Sequence, residues 1–297
     1  MQTSKYFSLL LLTTFLMGIA FPLGKLGMDY APPFLLMAIR YLLAGSLLIP
    51  IVKMLGKPGP RGRKQWLQAA AIGLFQSAGV MGCAYYSMNW ISSGESAILT
   101  CMNPLIVILL SSVISGVSYS ARQWIGVVLG FGGVAVAFGL SMSLNPGTFI
   151  CLAGAFCFAL ATMLTKRWGP AFDMTALAAY QMLFGGFILL VLSLCTEPIS
   201  FRTTTASVSI LLLLAILCSM IQFSLWYYLL KNSDAGKTSS FLFLVPLFGV
   251  LMSRLLLHEP VTWYVASGGA LICFGIILVN RKSRALAYVA RNNKASI

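Results

Sequence analysis

The sequence predicts an all-α integral membrane protein, ten transmembrane helices arranged as two inverted five-helix repeats, and three observations predict it. The first is composition. Of the 297 residues 59% are hydrophobic and 9% are charged, against about 25% charged in a soluble domain. Lipid offers no water to the backbone, so apolar stretches of about 20 residues cross its ~30 Å hydrocarbon layer as helices. The second is an internal repeat. Tyr85, Tyr86, Gly94 and Pro104 return as Tyr227, Tyr228, Gly236 and Pro246, a shift of 142, while Phe15, Lys25, Leu42 and Gly45 return as Phe156, Lys166, Leu183 and Gly186, a shift of 141. The third is where the basic residues fall. When the connections are numbered alternately, sixteen of the 20 Lys and Arg residues lie on the side of the N-terminus, three (Lys25, Arg202, Arg254) on the other, and Arg40 inside a span.

The first copy, residues 1–142, supplies five spans. Tyr6 to Gly24 follows Lys5 in the manner of a signal peptide, but its counterpart at 152–166 is internal, so it is read as a mature helix. Pro33 to Met54 carries Arg40. Trp66 to Met88 follows the turn cluster Lys57-Pro58-Gly59-Pro60-Arg61-Gly62-Arg63-Lys64. Glu95 to Ser115 is opened by Ser92-Ser93-Gly94-Glu95, which fits a capping box. Gln123 to Leu140 carries a small-residue seam at Gly126, Gly130, Gly132 and Gly133, which serves close packing within one chain or between two.

The second copy, residues 143–281, begins at the turn Asn145-Pro146-Gly147 and supplies Thr148 to Leu164, Thr175 to Cys195, Val208 to Leu230, Thr238 to Leu257 and Val261 to Val279. The last has its own seam at Gly268, Gly269 and Gly275. Residues 282–297 form a basic tail. Five is odd, so the second copy enters the membrane upside down relative to the first. The positive-inside rule places both termini in the cytoplasm and the chain in the cell membrane. Inverted repeats of this kind are a common architecture of secondary transporters, whose site lies near the midplane at the repeat interface.

Other functions find less support in the residues. The net charge of +14 is a topology signal, so no nucleic-acid partner is expected; the partners are the bilayer and a small-molecule substrate, with the chain a monomer or a homodimer. An enzyme needs paired carboxylates, a histidine cluster or an activated nucleophile; the single histidine, His258, sits in a loop beside Glu259. The seven cysteines fall inside apolar stretches at no metal-binding or disulfide spacing, and no nucleotide-binding loop is present. No metal and no cofactor are expected. A receptor or scaffold gives the inverted repeat no evident use.

The run Gly18-Ile19-Ala20-Phe21-Pro22-Leu23-Gly24-Lys25 and the segment Pro33 to Gly45, with Leu257-His258-Glu259-Pro260-Val261-Thr262 leading into Gly268 to Gly275, resemble the EamA-type permeases of the drug/metabolite transporter superfamily. The resemblance covers residues 6 to 281. It implies ten helices, two inverted repeats, and export or exchange of amino acids or similar metabolites through a central cavity. Two departures qualify it. The first copy has Ser115-Gly116-Val117-Ser118-Tyr119-Ser120 where an acidic residue is expected. The glutamate that small multidrug pumps of this superfamily carry in their first helix has no equivalent, because the first and sixth spans hold no acid. An organic-cation exporter of the same fold is therefore the second reading.

Polar side chains deep in lipid face a bundle interior or a cavity. Helical phase puts Gln76 and Ser77 on one stripe of the third span, Thr100 and Asn103 on the fourth, Ser219, Gln222 and Trp226 on the eighth, and Ser239 and Phe243 on the ninth. Tyr85, Tyr86, Trp226 and Tyr227 read either as interfacial belts or as walls of a pathway. Pro104 and Pro246 each remove a backbone donor in mid-span and read as hinges or as static kinks. Arg40 lies about eight residues into its span. It pairs with Glu95, receives a solute carboxylate, or snorkels to the interface; Glu95 in turn either joins that pair or caps its own helix.

Overall fold

The structure is a computed structural model that describes residues 3–115, 119–137, 145–232 and 241–280. The described residues are helical almost throughout. In chain order the helices are α1 (Thr3–Gly27), α2 (Pro33–Met54), α3 (Gly62–Ser87), α4 (Ser93–Thr100 and Asn103–Ser115), α5 (Ala121–Ala137), α6 (Pro146–Trp168), α7 (Met174–Thr196), α8 (Thr205–Leu212 continuing through Leu213–Ile221 to Gln222–Asn232), α9 (Phe241–Phe243 and Leu244–Leu257) and α10 (Trp263–Asn280). Seven of these, α1–α4 and α6–α8, are long and apolar enough to cross a membrane; α5, α9 and α10 are shorter apolar helices.

Caps explain where several helices begin. Ser92 and Glu95 form a reciprocal capping box at α4, the serine hydroxyl accepting from Glu95 N and the carboxylate accepting from Ser92 N. Thr204 and Ser207 do the same for α8, and Asp173 accepts from Thr175 N and Ala176 N at α7. Two carboxylates cap helices distant in sequence. Glu197, beyond the end of α7, accepts from Phe34 N and Leu35 N at the start of α2. Glu259, beyond the end of α9, accepts from Ser93 N, Ser93 Oγ and Gly94 N at the start of α4. An anionic side chain at a helix N-terminus meets unpaired N–H groups and the positive end of the macrodipole.

Packing partners exchange when each helix is replaced by the one five places on. The pairs α2 with α7, α5 with α10 and α4 with α9 map onto themselves. The pair α1–α9 maps onto α6–α4, α3–α6 onto α8–α1, and α3–α7 onto α8–α2, and all of these contacts are made. Glycines permit the closest approaches. A Cβ on Gly186 would stand 2.8 Å from Leu42 N, and one on Gly45 would meet Leu183 and Ala179 O. Between α5 and α10, a Cβ on Gly126 would lie 2.7 Å from Gly275 O, and one on Gly133 2.7 Å from Gly268 O. Both glycine seams thus pack against each other within one chain. Gly132 and Gly269 stand apart from that contact: the first has open space around it and the second faces Ile98.

Two irregularities distinguish α3 and α8. Each passes through a π-helical stretch, Leu74–Gly79 in α3 and Leu213–Ile221 in α8, where an extra residue per turn rotates everything that follows. The prolines mark a second irregularity. The ladder of α4 breaks at Cys101–Met102, just before Pro104, and α9 starts as a 3₁₀ turn at Phe241–Phe243 before Pro246. In each case the proline removes the donor owed to a carbonyl four residues earlier.

Candidate functional site

Arg40 is the most informative side chain in the bundle. It projects from the middle of the N-terminal half of α2, is 2% exposed, and sits among neutral partners. Its Nε donates to Ser219 Oγ at 2.8 Å, its Nη2 to the Cys218 carbonyl at 2.8 Å and its Nη1 to the Tyr85 hydroxyl at 3.1 Å. Met37 Sδ lies 3.7 Å from Nη1, and the guanidinium carbon lies 5.2 Å from the centroid of the Tyr41 ring, a cation–π contact. Each partner is held in turn. Tyr85 donates to the Ala20 carbonyl at 2.6 Å and stacks near Phe21, and Ser219 donates to the Leu214 carbonyl. That last bond spans five residues and belongs to the π stretch of α8.

Arg40 and Glu95 are not paired. The Glu95 carboxylate is committed to Ser92 N and Ser92 Oγ, so the capping alternative describes it, and the ion pair among the described residues is Lys57–Asp173 at 3.7 Å. Nor does Arg40 snorkel, since its head is buried in protein. Guanidinium prefers forked, planar hydrogen bonding and is less tightly hydrated than ammonium, so neutral oxygens and a ring face hold it. They do not neutralise it.

Beside Arg40 lies a cavity of about 240 Å³. Among the described residues its wall comes from α1, α2, α3, α4, α6, α8 and α9, with Met174 at the start of α7, and includes none from α5 or α10. Of the residues expected from the sequence, Arg40, Gln76, Thr100, Asn103, Pro104, Gln222 and Trp226 line it. Ser219 and Tyr85 stand behind it, reaching it through Arg40. Ser77 turns to α7, where it donates to Gln181 Oε1 at 2.7 Å. Tyr86 stacks on Phe34 with centroids 4.9 Å apart and meets Trp90 edge-on, as an aromatic cluster away from the cavity. Pro246 lines a separate apolar groove between α9 and α10. Ser239 lies outside the described residues, as do the side chains of Tyr227 and Phe243.

The cavity also uses residues that the polar stripes did not single out. Phe21 and Met17 on α1, Tyr41 on α2, Phe158, Thr162 and Thr165 on α6, and Phe223 on α8 complete the wall. Thr162 donates to its own helix at the Phe158 carbonyl and leans on Asn103 Oδ1 at 3.4 Å. Thr162 and Thr165 follow each other by one turn on α6, a spacing that could have marked them; the aromatic residues carry no signal separable from an ordinary apolar span.

The comparisons with known proteins agree with this architecture. The profile of the EamA-like transporter family matches residues 4–139 and again 145–281. The chain is 30% identical over 286 residues to the uncharacterized transporter YvbV of Bacillus subtilis (strain 168), covering 94% of this chain and 93% of that one. It is also 30% identical over 261 residues to protein PecM of Dickeya dadantii (strain 3937), covering 83% and 82%. A crystal structure with a TM-score of 0.68 and 19% identity covers 94% of this chain and 97% of its own, which speaks for the fold alone. With a buried cation beside a cavity in a multi-helix membrane bundle, and a profile matched twice along its length, the chain belongs to the EamA-like transporter family.

Proposed function

We propose that the protein is a secondary transporter that moves small carboxylate-bearing metabolites, the class to which amino acids belong, out across the cell membrane by alternating access through the central cavity. That it is a membrane transporter of small molecules, seated in the bilayer, follows from its family. The single observation that carries the finer reading is Arg40, a cation buried at the cavity without an anionic partner among the described residues. An unpaired buried charge is costly, and charged groups within membrane bundles mark solute pathways. A solute carboxylate supplies the missing charge.

The same observation weakens the organic-cation reading, because the charged group in the cavity wall is itself positive. Alternating access is supported by the double match of the family profile and by the paired irregularities of α3 with α8 and of α4 with α9. In this reading all ten helices cross the membrane, residues 1–142 and 143–281 are inverted copies, and both termini are cytoplasmic. The test is solute counterflow into liposomes containing the purified protein, with a panel of amino acids and organic acids. Gradient-driven flux of at least one carboxylate, abolished in Arg40→Gln, is the expected result. Equal flux of cations and carboxylates in wild type and variant would refute it.

A further inference from the structure

The cavity wall holds hydrogen-bond donors that no described protein group uses. Guanidinium carries five N–H donors; Nη2 can donate twice and makes one bond, to the Cys218 carbonyl. Gln222, 4% exposed and in the cavity wall, has a buried Nε2 with no hydrogen-bond partner among the described residues. Gln222 follows Ser219, whose hydroxyl Arg40 Nε engages, by three residues on α8, and Gln222 and Arg40 both line the cavity. A positive charge and an orphan amide donor therefore share the wall of one cavity.

Two polar side chains of the wall already have neighbours. Asn103 Oδ1 lies 3.4 Å from Thr162 Oγ1, whose hydrogen goes to the Phe158 carbonyl, and Thr100 Oγ1 lies 3.6 Å from Cys151 Sγ. Among the described residues no Asp or Glu lines the cavity. Glu95, Glu197, Glu259 and Asp173 cap helices elsewhere. The remaining wall is largely aromatic and thioether, with Phe21, Tyr41, Phe158, Phe223 and Trp226 among its residues.

We infer that the substrate is an organic acid with one carboxylate, an apolar body of about one ring, and no ammonium group. A carboxylate accepts up to four hydrogen bonds and takes both the free Nη2 hydrogen and the Gln222 amide. An α-ammonium brings three more donors and a second positive charge to a wall in which no described residue is an acid, and like charges repel Arg40. One guanidinium neutralises one negative charge, which favours a monoanion. The volume of about 240 Å³ lies below the usual range of about 300–1,000 Å³ for drug-sized ligands, and the aromatic wall suits a ring face. The inference rests on the transporter reading and narrows it from carboxylate-bearing metabolites in general to those without an amine.

Three solutes that share one ring and differ in charge separate the outcomes: 3-phenylpropionate, phenylalanine and phenethylamine. Equilibrium binding of each radiolabelled solute to the purified full chain in detergent is measured alongside counterflow in proteoliposomes. The acid is expected to bind at least about tenfold more tightly than phenylalanine, with phenethylamine weakest. Gln222→Leu is expected to weaken acid binding by about tenfold, one charge-assisted hydrogen bond's worth, while its melting temperature stays the same or rises because a buried orphan donor is gone. Arg40→Gln is expected to erase the order of preference. Equal or tighter binding of phenylalanine or phenethylamine, or binding of none of the three, overturns the inference. Binding of the acid without its passage across the membrane leaves the substrate class standing and removes the transporter reading instead.

Discussion

Replacing Tyr85 by Phe removes one hydroxyl from the support of Arg40 and changes nothing else in shape. The Tyr85 ring is fully buried and presses on α1 so closely that a Cβ on Gly24 would collide with it, so a phenyl ring stays in place. Two hydrogen bonds are lost, the one accepted from Arg40 Nη1 at 3.1 Å and the one donated to the Ala20 carbonyl at 2.6 Å. A bond to a charged group is worth about 1.5–3 kcal/mol and a neutral one about 1 kcal/mol, so the stability of the purified protein falls by about 2.5–4 kcal/mol. Solute affinity falls with it, by about tenfold, because the guanidinium loses an anchor while keeping Ser219 and Cys218. Tyr41→Phe is the control. Arg40 meets the face of that ring, which Phe also offers, so both losses should be much smaller. Thermal melting and carboxylate binding in mild detergent read both effects. A Tyr85→Phe protein that melts and binds as wild type does would refute the idea that this hydroxyl positions Arg40.

Because Glu95 caps α4 rather than pairing with Arg40, Ser92→Ala should cost about 1 kcal/mol of stability with solute affinity unchanged, and Arg40→Gln with Glu95→Gln should be additive on transport within about 0.5 kcal/mol; measured coupling beyond that would restore the pair. Gly186→Ala forces a Cβ against Leu42 N at 2.8 Å and should destabilise by about 1–3 kcal/mol, whereas Gly132→Ala, with open space around it, should be neutral or gain up to about 1 kcal/mol of helix propensity. Melting temperatures that ranked the two glycine variants the other way would contradict the packing of α2 on α7. In a cysteine-free background, Trp90→Cys and Val208→Cys, both at partly exposed positions, should react with a membrane-impermeant thiol reagent from outside the cell. Reaction of either one only after permeabilisation would overturn the proposed orientation.

Hydropathy and turn residues made the helices legible, since each apolar stretch had to close its own hydrogen bonds. Glycine spacing made the α5 and α10 seams legible too, but could not say that they meet each other. The long-range caps could not be read. Glu197 and Glu259 look like loop acids, and only the tertiary fold brings them to the first turns of α2 and α4. The polar stripe of α3 failed for a specific reason. A regular 3.6-residue phase puts Gln76 and Ser77 on one shared stripe with Val80 and Cys83. The π stretch at Leu74–Gly79 splits that stripe: Gly73 and Ser77 face α7, Val80 and Cys83 pack along Gly154 of α6, and Gln76 reaches the cavity. Periodicity assumes a uniform helix, and the site lies where the helix is not uniform.

That irregularity also bears on why the site is one-sided. The shift that relates the two copies carries Arg40 to Gln181 and Ser219 back to Ser77. Both pairs are made in the structure, and each joins the second helix of one copy to the π stretch of the third helix of the other: Arg40 Nε to Ser219 Oγ at 2.8 Å, and Ser77 Oγ to Gln181 Oε1 at 2.7 Å. A π turn is costly to keep in a helix and is found mostly at functional sites; here two of them each present a hydroxyl to a long polar side chain across the copy boundary. The scaffold thus offers two equivalent polar joints. Only one is charged and borders the cavity, and the other is neutral, with the Gln181 amide nitrogen left buried and unpartnered. In the proposed reading, duplication supplies a bundle with two related packings, and the single difference between an amide and a guanidinium gives one of the two joints the charge that attracts a solute. If this is right, Gln181→Leu, which removes the neutral joint's orphan donor, should leave carboxylate affinity within about twofold of wild type, while Arg40→Gln, which makes the two joints alike, should abolish it. Loss of affinity in both variants would mean that the joints act together, and the cavity would not owe its selectivity to Arg40 alone.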